Sequence, residues 1–202
     1  MYDRSTDSLW SQIFGMALDG ALEGTRLKRR TLLWTTWRYA KVAYPGGKVL
    51  SPDTGFRRSY GRDPYGSYHR HGTYYDNDMI VYPVINFDRR MQVKTRILGI
   101  DRLETRLALV RDKLVRQGLV NLDIGLMELV SIYDPELDTV RLYRRRTGNR
   151  DLTFYQEEGM IMDEQTRSQW SVQGEAIHGK LTGLRLDKVP AMDCMWFAWA
   201  AF

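Results

Sequence analysis

The residues with the most chemistry to offer lie between positions 54 and 78. The stretch Thr54-Gly55-Phe56-Arg57-Arg58-Ser59-Tyr60-Gly61-Arg62-Asp63-Pro64-Tyr65 sets three arginines and two tyrosines among glycines. Guanidinium forks suit carboxylate or phosphate, and tyrosines add flat contact area. Arg58, Tyr60, Arg62 and Tyr65 are therefore the candidate binding residues, with a small anionic ligand as the natural occupant. The competing reading is a structural crossover whose arginines are consumed by Asp53, Asp63 or Asp76. Downstream, His69-Arg70-His71 with Asp76 and Asp78 is the best metal candidate, because histidines two apart on an extended segment can point the same way. A tyrosine- and glycine-rich loop is a poor cage, so His69 and His71 are weak candidates and a solvated loop is the plainer reading. No metal or other cofactor is expected. The single cysteine, Cys194, excludes an internal disulfide and any cysteine-rich metal site within the chain. No Ser/His/Asp order, phosphate-binding loop or dinucleotide fingerprint is present, which leaves open whether the chain catalyses anything.

The elements that would position these residues come from a repeat. Asp3, Thr6, Ser8, Trp10 and Ser11, followed by Gly15, Ala17, Gly20, Leu22, Gly24 and Leu27, recur as Asp163, Thr166, Ser168, Trp170 and Ser171, followed by Gly174, Ala176, Gly179, Leu181, Gly183 and Leu186. Each copy runs on to a tryptophan pair, Trp34 with Trp37 and Trp196 with Trp199. A period this long implies a duplicated domain rather than a solenoid. The pattern predicts the back half of one unit with a crossover loop over 1–92 and most of a second unit over 93–202, the two packing as one body. The first unit is expected to lack its front half and the second to lack its end beyond Phe202, so the chain reads as a fragment.

Within each unit the expectation is α+β and strand-rich: short antiparallel strands with one tryptophan-bearing helix. Glycines at 15, 20 and 24 mark turns between short strands. A helix is predicted over 31–44, closed by Pro45-Gly46-Gly47, and a strand over 79–85 near an edge at Pro83. In the second copy, strands are predicted over 93–100, 128–133, 139–144 and 151–156, with a hairpin at Gly148-Asn149. Residues 191–202 should repeat the tryptophan helix. Periodicity alone predicts one helix over 103–117, stopped by Gly118. Trp10, Trp37, Trp170 and Trp199 are expected in the core, with ligand stacking the sharper alternative. His178 stands where the first copy has Asp19, which argues against a required ligand.

Composition narrows the function classes. Hydrophobic residues at 43% and aromatics at 12% of 202 residues support a packed core. The net charge of +5 helps attract anions but does not define a partner. Lys28-Arg29-Arg30 and Arg144-Arg145-Arg146 are short runs at element ends amid dispersed acids, so they read as solvated turns and not as a nucleic-acid face. The longest apolar run, from Cys194 to Phe202, is too short to span a bilayer. Oligomeric state cannot be read from any of this.

Certain stretches, taken as a set, resemble a bacterial and archaeal family, domain of unknown function 3179 (DUF3179). They are Met1-Tyr2-Asp3-Arg4, Leu50-Ser51 with Asp53-Thr54-Gly55, Tyr60-Gly61-Arg62-Asp63-Pro64-Tyr65, Tyr82-Pro83-Val84, Arg96-Ile97-Leu98-Gly99, Tyr133-Asp134-Pro135-Glu136 and Trp196 through Phe202. The resemblance covers essentially the whole chain. It implies two strands and then a short helix over 96–117, in place of the single helix that periodicity suggests. It also implies that full-length relatives are exported and carry a Cys-Pro-x-Cys stretch at a strand end of the first unit. At the corresponding place in the second copy stands Asp134, and a carboxylate cannot do thiol exchange. Two functions are expected from this. The first is a non-catalytic ligand- or partner-binding fragment. The second is part of a redox or metal-handling enzyme whose cysteine pair lies upstream.

Overall fold

The computed structural model describes residues 1–201 apart from Arg29, Tyr68, His69, Ile85, Leu103 and Glu104. Strand-forming pairs broken by glycine and aspartate turns dominate from the start. β1 (Tyr2–Asp3), β2 (Ser8–Ser11) and β3 (Met16–Asp19) form an antiparallel meander. A long irregular stretch comes next, interrupted by α1 (Trp37–Ala43) and a single 3-10 turn at Tyr74–Asp76. β4 (Arg96–Arg102) and β5 (Thr105–Val110) then make a hairpin that leads into α2 (Arg111–Gln117). β6 (Leu119–Ile124), β7 (Met127–Asp134) and β8 (Thr139–Arg144) are a second meander. β9 (Arg146–Thr147) and β10 (Arg150–Asp151) pair across Gly148-Asn149. β11 (Phe154–Glu157), β12 (Met160–Asp163), β13 (Gln169–Trp170) and β14 (Ala176–His178) form a four-stranded sheet in sequential order. β15 (Met192–Met195) crosses back to pair with β4, and α3 (Trp196–Ala200) comes after it. The fold is α+β and strand-rich, built of several small antiparallel sheets.

The core sits in the C-terminal two thirds. Val130, Ile132, Tyr143, Phe154, Ile161 and Trp170 form one cluster, with the Phe154 and Trp170 rings edge-on at 5.4 Å. Leu98, Ile100, Leu114, Leu129 and Leu142 form a second. Each such aliphatic side chain contributes about 1.5–3 kcal/mol on burial. In a third cluster Ile97, Trp196 and Trp199 receive Ile13 from the N-terminal meander, which ties the two halves together. Gly99 matters here for space: a Cβ on it would lie 2.4 Å from the Trp199 ring. Gly118 closes α2 at φ +73°, its N–H donating to the Leu114 carbonyl at 3.0 Å.

The two related stretches make the same local contacts. Thr6 Oγ1 donates to Asp3 at 2.7 Å, and Thr166 Oγ1 to Asp163 at 2.8 Å. The Ser8 and Ser168 hydroxyls each accept the N–H of a leucine, Leu22 or Leu181, at 3.1 Å. Ala17 and Ala176 donate to Thr25 and Leu184 at 3.0 and 2.9 Å, and Leu27 and Leu186 to Gly15 and Gly174 at 2.8 Å. Both carry the same register shift one residue before the tryptophan. Asp7 and Arg167 both sit at positive φ, 51° and 57°.

The likeness stops before the tryptophan pairs. In the C-terminal copy residues 192–195 are a strand on β4, and Trp196 and Trp199 are 4% and 5% exposed. In the N-terminal copy residues 31–36 belong to no helix or strand, and Trp34 and Trp37 are 53% and 60% exposed. The expected helix over 31–44 is therefore only α1. Threonines at 31, 35 and 36 disfavour helix, and Thr36 caps it, accepting from the Tyr39 N–H at 3.4 Å. The core assignment fails for Trp37, because the sheet that buries its counterpart is already taken by β15 and α3. Trp10 is half-buried, while Trp170 and Trp199 are buried as expected.

Other expectations also need correction. Residues 79–84 form no strand, and 192–195 are strand, not helix. Arg145 is not a solvated turn residue. Its guanidinium is buried, donating to the carbonyls of Leu129 at 3.0 Å and Leu152 at 2.8 Å and pairing with Asp123. The strand–helix split over 105–117 matches what the family resemblance implied.

Candidate functional site

Loop 54–66 is held by its own short-range polar contacts. Asp63 Oδ1 accepts the Tyr65 N–H at 2.9 Å, which fixes the Asp63-Pro64 turn. The Thr54 and Tyr60 hydroxyls meet at 2.6 Å. Tyr65 stacks obliquely on Tyr74, with ring centroids 5.2 Å apart. The Lys94 ammonium sits 3.7 Å above the other part of this cluster, the Tyr74 ring, and donates to the Tyr74 carbonyl and to Asn77 Oδ1. Burial lowers the Lys94 pKa, and burial with the neighbouring Tyr65 raises that of Tyr74. The loop is thus anchored at its Tyr65 end to the start of the second sheet system.

Its guanidinium groups have no internal partner among the described residues. Among the described residues the side chains of Arg57, Arg58 and Arg62 make no hydrogen bond or ion pair, and all three residues are exposed. Tyr60 and Tyr65 are partly exposed beside them, and Phe56 more so. Elsewhere several arginines are paired closely. Arg90 holds Asp88 at 2.7 Å, Arg96 holds Asp193 at 2.5 Å, Arg141 holds Asp134 at 2.7 Å and Arg185 holds Glu175 at 2.8 Å.

The histidine candidates divide. His69 lies outside the described residues. His71 is fully exposed, its Nδ1 3.1 Å from Asp76 Oδ2, and Asp76 also accepts the Gly72 N–H at 3.0 Å. That N–H first, and then the imidazole, hold the Asp76 carboxyl below its usual range. No group of three or more His, Cys, Asp or Glu side chains suited to a metal ion occurs among the described residues.

A buried polar network occupies the place in the second copy that corresponds to the one where the resemblance puts the relatives' cysteines in the first unit. Asp134 is 1% exposed at the end of β7. Its Oδ1 accepts the N–H groups of Glu136 and Leu137 at 3.1 and 3.3 Å, and its Oδ2 accepts both Nε and Nη2 of Arg141 at 2.9 and 2.7 Å. Beside it, Tyr133 donates to Asp138 at 2.9 Å, and Arg111 donates to the same carboxylate at 3.1 Å. Burial, then the Asp138 carboxylate, raise the Tyr133 pKa. The carboxylate at 134 therefore closes a turn and neutralises an arginine. It is not free for chemistry. Cys194 is half-buried on β15, and that burial pushes its thiol up to about 12. A thiol held protonated is a poor nucleophile.

A cleft of about 590 Å³ lies elsewhere, between segment 30–34 and the β4–β15 sheet. Arg30, Leu32 and Trp34 form one wall, Ala191, Met192 and Asp193 the other, with Gly99 and Trp199 also lining it. A smaller hollow of about 140 Å³ adjoins it near Arg141 and Lys188. Arg58, Tyr60, Arg62 and Tyr65 line neither. No signal in the sequence marks this cleft, because it arises from the divergence of two otherwise matching stretches.

No helix among the described residues is long and apolar enough to cross a membrane. No curated protein and no solved structure matches the chain. The family described as "Protein of unknown function (DUF3179)" matches over residues 1–202, and the chain belongs to that family.

Proposed function

We propose that this chain is a non-catalytic binding module on a duplicated scaffold, and that loop 54–66 is its contact surface for an acidic partner. The observation that carries this reading is the clustering of unpaired guanidiniums with tyrosines. Arg57, Arg58 and Arg62 lie within six positions of one another, are exposed, make no ion pair among the described residues and are flanked by Tyr60 and Tyr65. Tyrosine beside arginine gives a rigid, amphipathic contact at low entropic cost. Because these residues line neither cleft, the surface fits carboxylates on a protein partner better than an enclosed small anion.

The duplication supports the scaffold part of the reading. The aspartate–threonine–serine hydrogen bonds and the glycine turns recur in both stretches, and they brace turns without leaving a reactive group. Thiol exchange by this chain finds no support, since its one cysteine is half-buried with a raised pKa and Asp134 is fully engaged.

The test is anisotropy titration of labelled hexaglutamate with the full chain at two salt concentrations. Saturable binding that weakens with salt, and weakens at least tenfold more in the Arg58→Ala/Arg62→Ala variant, is expected. Equal binding by that variant, or no saturable binding, would overturn the proposal.

A further inference from the structure

Segment 30–33 and strand β15 occupy equivalent places before their tryptophans, yet only β15 is paired. Aligned on the tryptophan pairs, Arg30, Thr31, Leu32 and Leu33 correspond to Met192, Asp193, Cys194 and Met195. The latter four face Gly99, Leu98, Ile97 and Arg96 of β4. Among the described residues, Thr31, Leu32 and Leu33 make no backbone hydrogen bond. Leu32 is 78% exposed. Across the cleft, β15 is the end strand of its sheet, in the order β15-β4-β5. The cleft thus has on one wall a segment that matches a strand in sequence but is itself unpaired among the described residues, and on the other the end strand of a sheet. An unpaired backbone row of this kind is a template for strand addition.

We infer that this cleft receives an extended polypeptide strand, laid beside residues 30–33, with apolar side chains and an acidic residue near Arg30. This site is separate from loop 54–66 and does not rest on it. Its volume of about 590 Å³ falls in the range of occupied ligand sites, about 300–1,000 Å³. Charge selects the occupant. Asp193 on the far wall is already neutralised by Arg96, at 2.9 Å from Nε and 2.5 Å from Nη2. Asp101 also lines the cleft, from β4, while Arg30 and Lys28, both exposed, make no ion pair among the described residues, so the wall that the segment itself forms carries positive charge. The β4 sequence, Arg96-Ile97-Leu98-Gly99-Ile100-Asp101-Arg102, shows what such a strand looks like. In the β15 register its glycine would face Arg30, and its aspartate would lie opposite Lys28 and diagonal to Arg30, within reach of long side chains. Leu32 and Leu33 would gain the cover that Cys194 and Met195 already have.

The probe is a fluorescein-labelled heptapeptide of the β4 sequence, RILGIDR, titrated into the full chain by anisotropy. Saturable binding is expected. It should weaken at least tenfold with Arg30→Glu or with Leu32→Asp, two exposed positions where the fold is retained. It should be lost when alternate peptide nitrogens are methylated, and it should be unaffected by excess hexaglutamate or by Arg58→Ala/Arg62→Ala. Three outcomes would overturn the proposal. They are no saturable binding, equal binding of the methylated or a scrambled peptide, and sensitivity to the loop variant instead of Arg30→Glu.

Discussion

Asp163→Asn is the sharpest stability perturbation that the structure offers. Asp163 is fully buried and acts as a hub. Its Oδ1 accepts the Thr166 N–H at 2.6 Å. Its Oδ2 accepts Thr166 Oγ1 at 2.8 Å, the Ser168 N–H at 3.1 Å and the Trp170 Nε1–H at 3.0 Å. Asparagine keeps the shape but replaces one oxygen with a donor. With its oxygen placed on the three-bond side, its amide faces the Thr166 N–H, and one buried donor is left unsatisfied at a cost of about 1–3 kcal/mol. The three remaining bonds lose their charge assistance, roughly half their strength, or about 0.5–1 kcal/mol each. The expected loss is therefore about 2.5–6 kcal/mol. Urea unfolding monitored by tryptophan fluorescence measures it, with an unchanged m-value confirming that the same transition is observed. The equivalent Asp3→Asn supplies the control. Asp3 holds the Ser5 N–H and the Thr6 hydroxyl but is partly exposed and, among the described residues, receives no bond from Trp10. It should barely move the midpoint. A loss below about 1 kcal/mol for Asp163→Asn would refute the reasoning, as would an equal effect at Asp3.

Three further outcomes rest on the same kind of contact. Trp199→Ala should cost about 3–5 kcal/mol, whereas Trp37→Ala should stay within about 0.5 kcal/mol; chemical denaturation of both variants checks it, and equal losses would contradict the asymmetry of the two copies. Cys194, its thiol pushed up to about 12 by burial, should alkylate with iodoacetamide at pH 8 at least a hundredfold more slowly than a free cysteine and regain ordinary reactivity in urea. Tyr143, buried and donating to the Val172 carbonyl at 3.0 Å, has its phenol raised from 10.0 to about 12. A raised value stabilises the fold fully below pH 10 and is lost as pH climbs toward 12, on the order of 2–3 kcal/mol. Melting curves of wild type and Tyr143→Phe at pH 9 and 11 should therefore converge at the higher pH, and parallel declines would contradict it.

The repeat and the hairpins are legible in the sequence because their signals are local. Glycine at positive φ, the aspartate–threonine–serine turn and the Gly148-Asn149 hairpin each depend on a few neighbouring residues. β6 is not among the strands predicted from the sequence, although Val120, Leu122 and Ile124 alternate with polar neighbours at strand period. Anything set by a distant partner is hidden. Trp37 and Trp199 stand in matching sequence, but only Trp199 has Gly99 of β4 beneath it. Helical spacing over 31–44 reports apolar positions and not whether a surface exists to cover them. The run Arg144-Arg145-Arg146 looks uniform, yet the carbonyls of Leu129 and Leu152 draw the middle guanidinium inward. Asp134 and Arg141 meet only because β7 and β8 pair with Ile132 facing Arg141. The loop candidates Arg58, Tyr60, Arg62 and Tyr65 are visible by composition alone, whereas the cleft beside Arg30 requires the fold.

Amide chemical-shift mapping tests the binding surface most directly. Hexaglutamate is added to isotope-labelled full chain, and the perturbed amides are placed on the structure. The largest shifts are expected within residues 54–66, above all at Arg58, Tyr60, Arg62 and Tyr65, and they should vanish in the Arg58→Ala/Arg62→Ala variant. Shifts scattered over every basic residue alike, or centred outside this loop and persisting in that variant, would contradict the assignment of loop 54–66 as the contact surface.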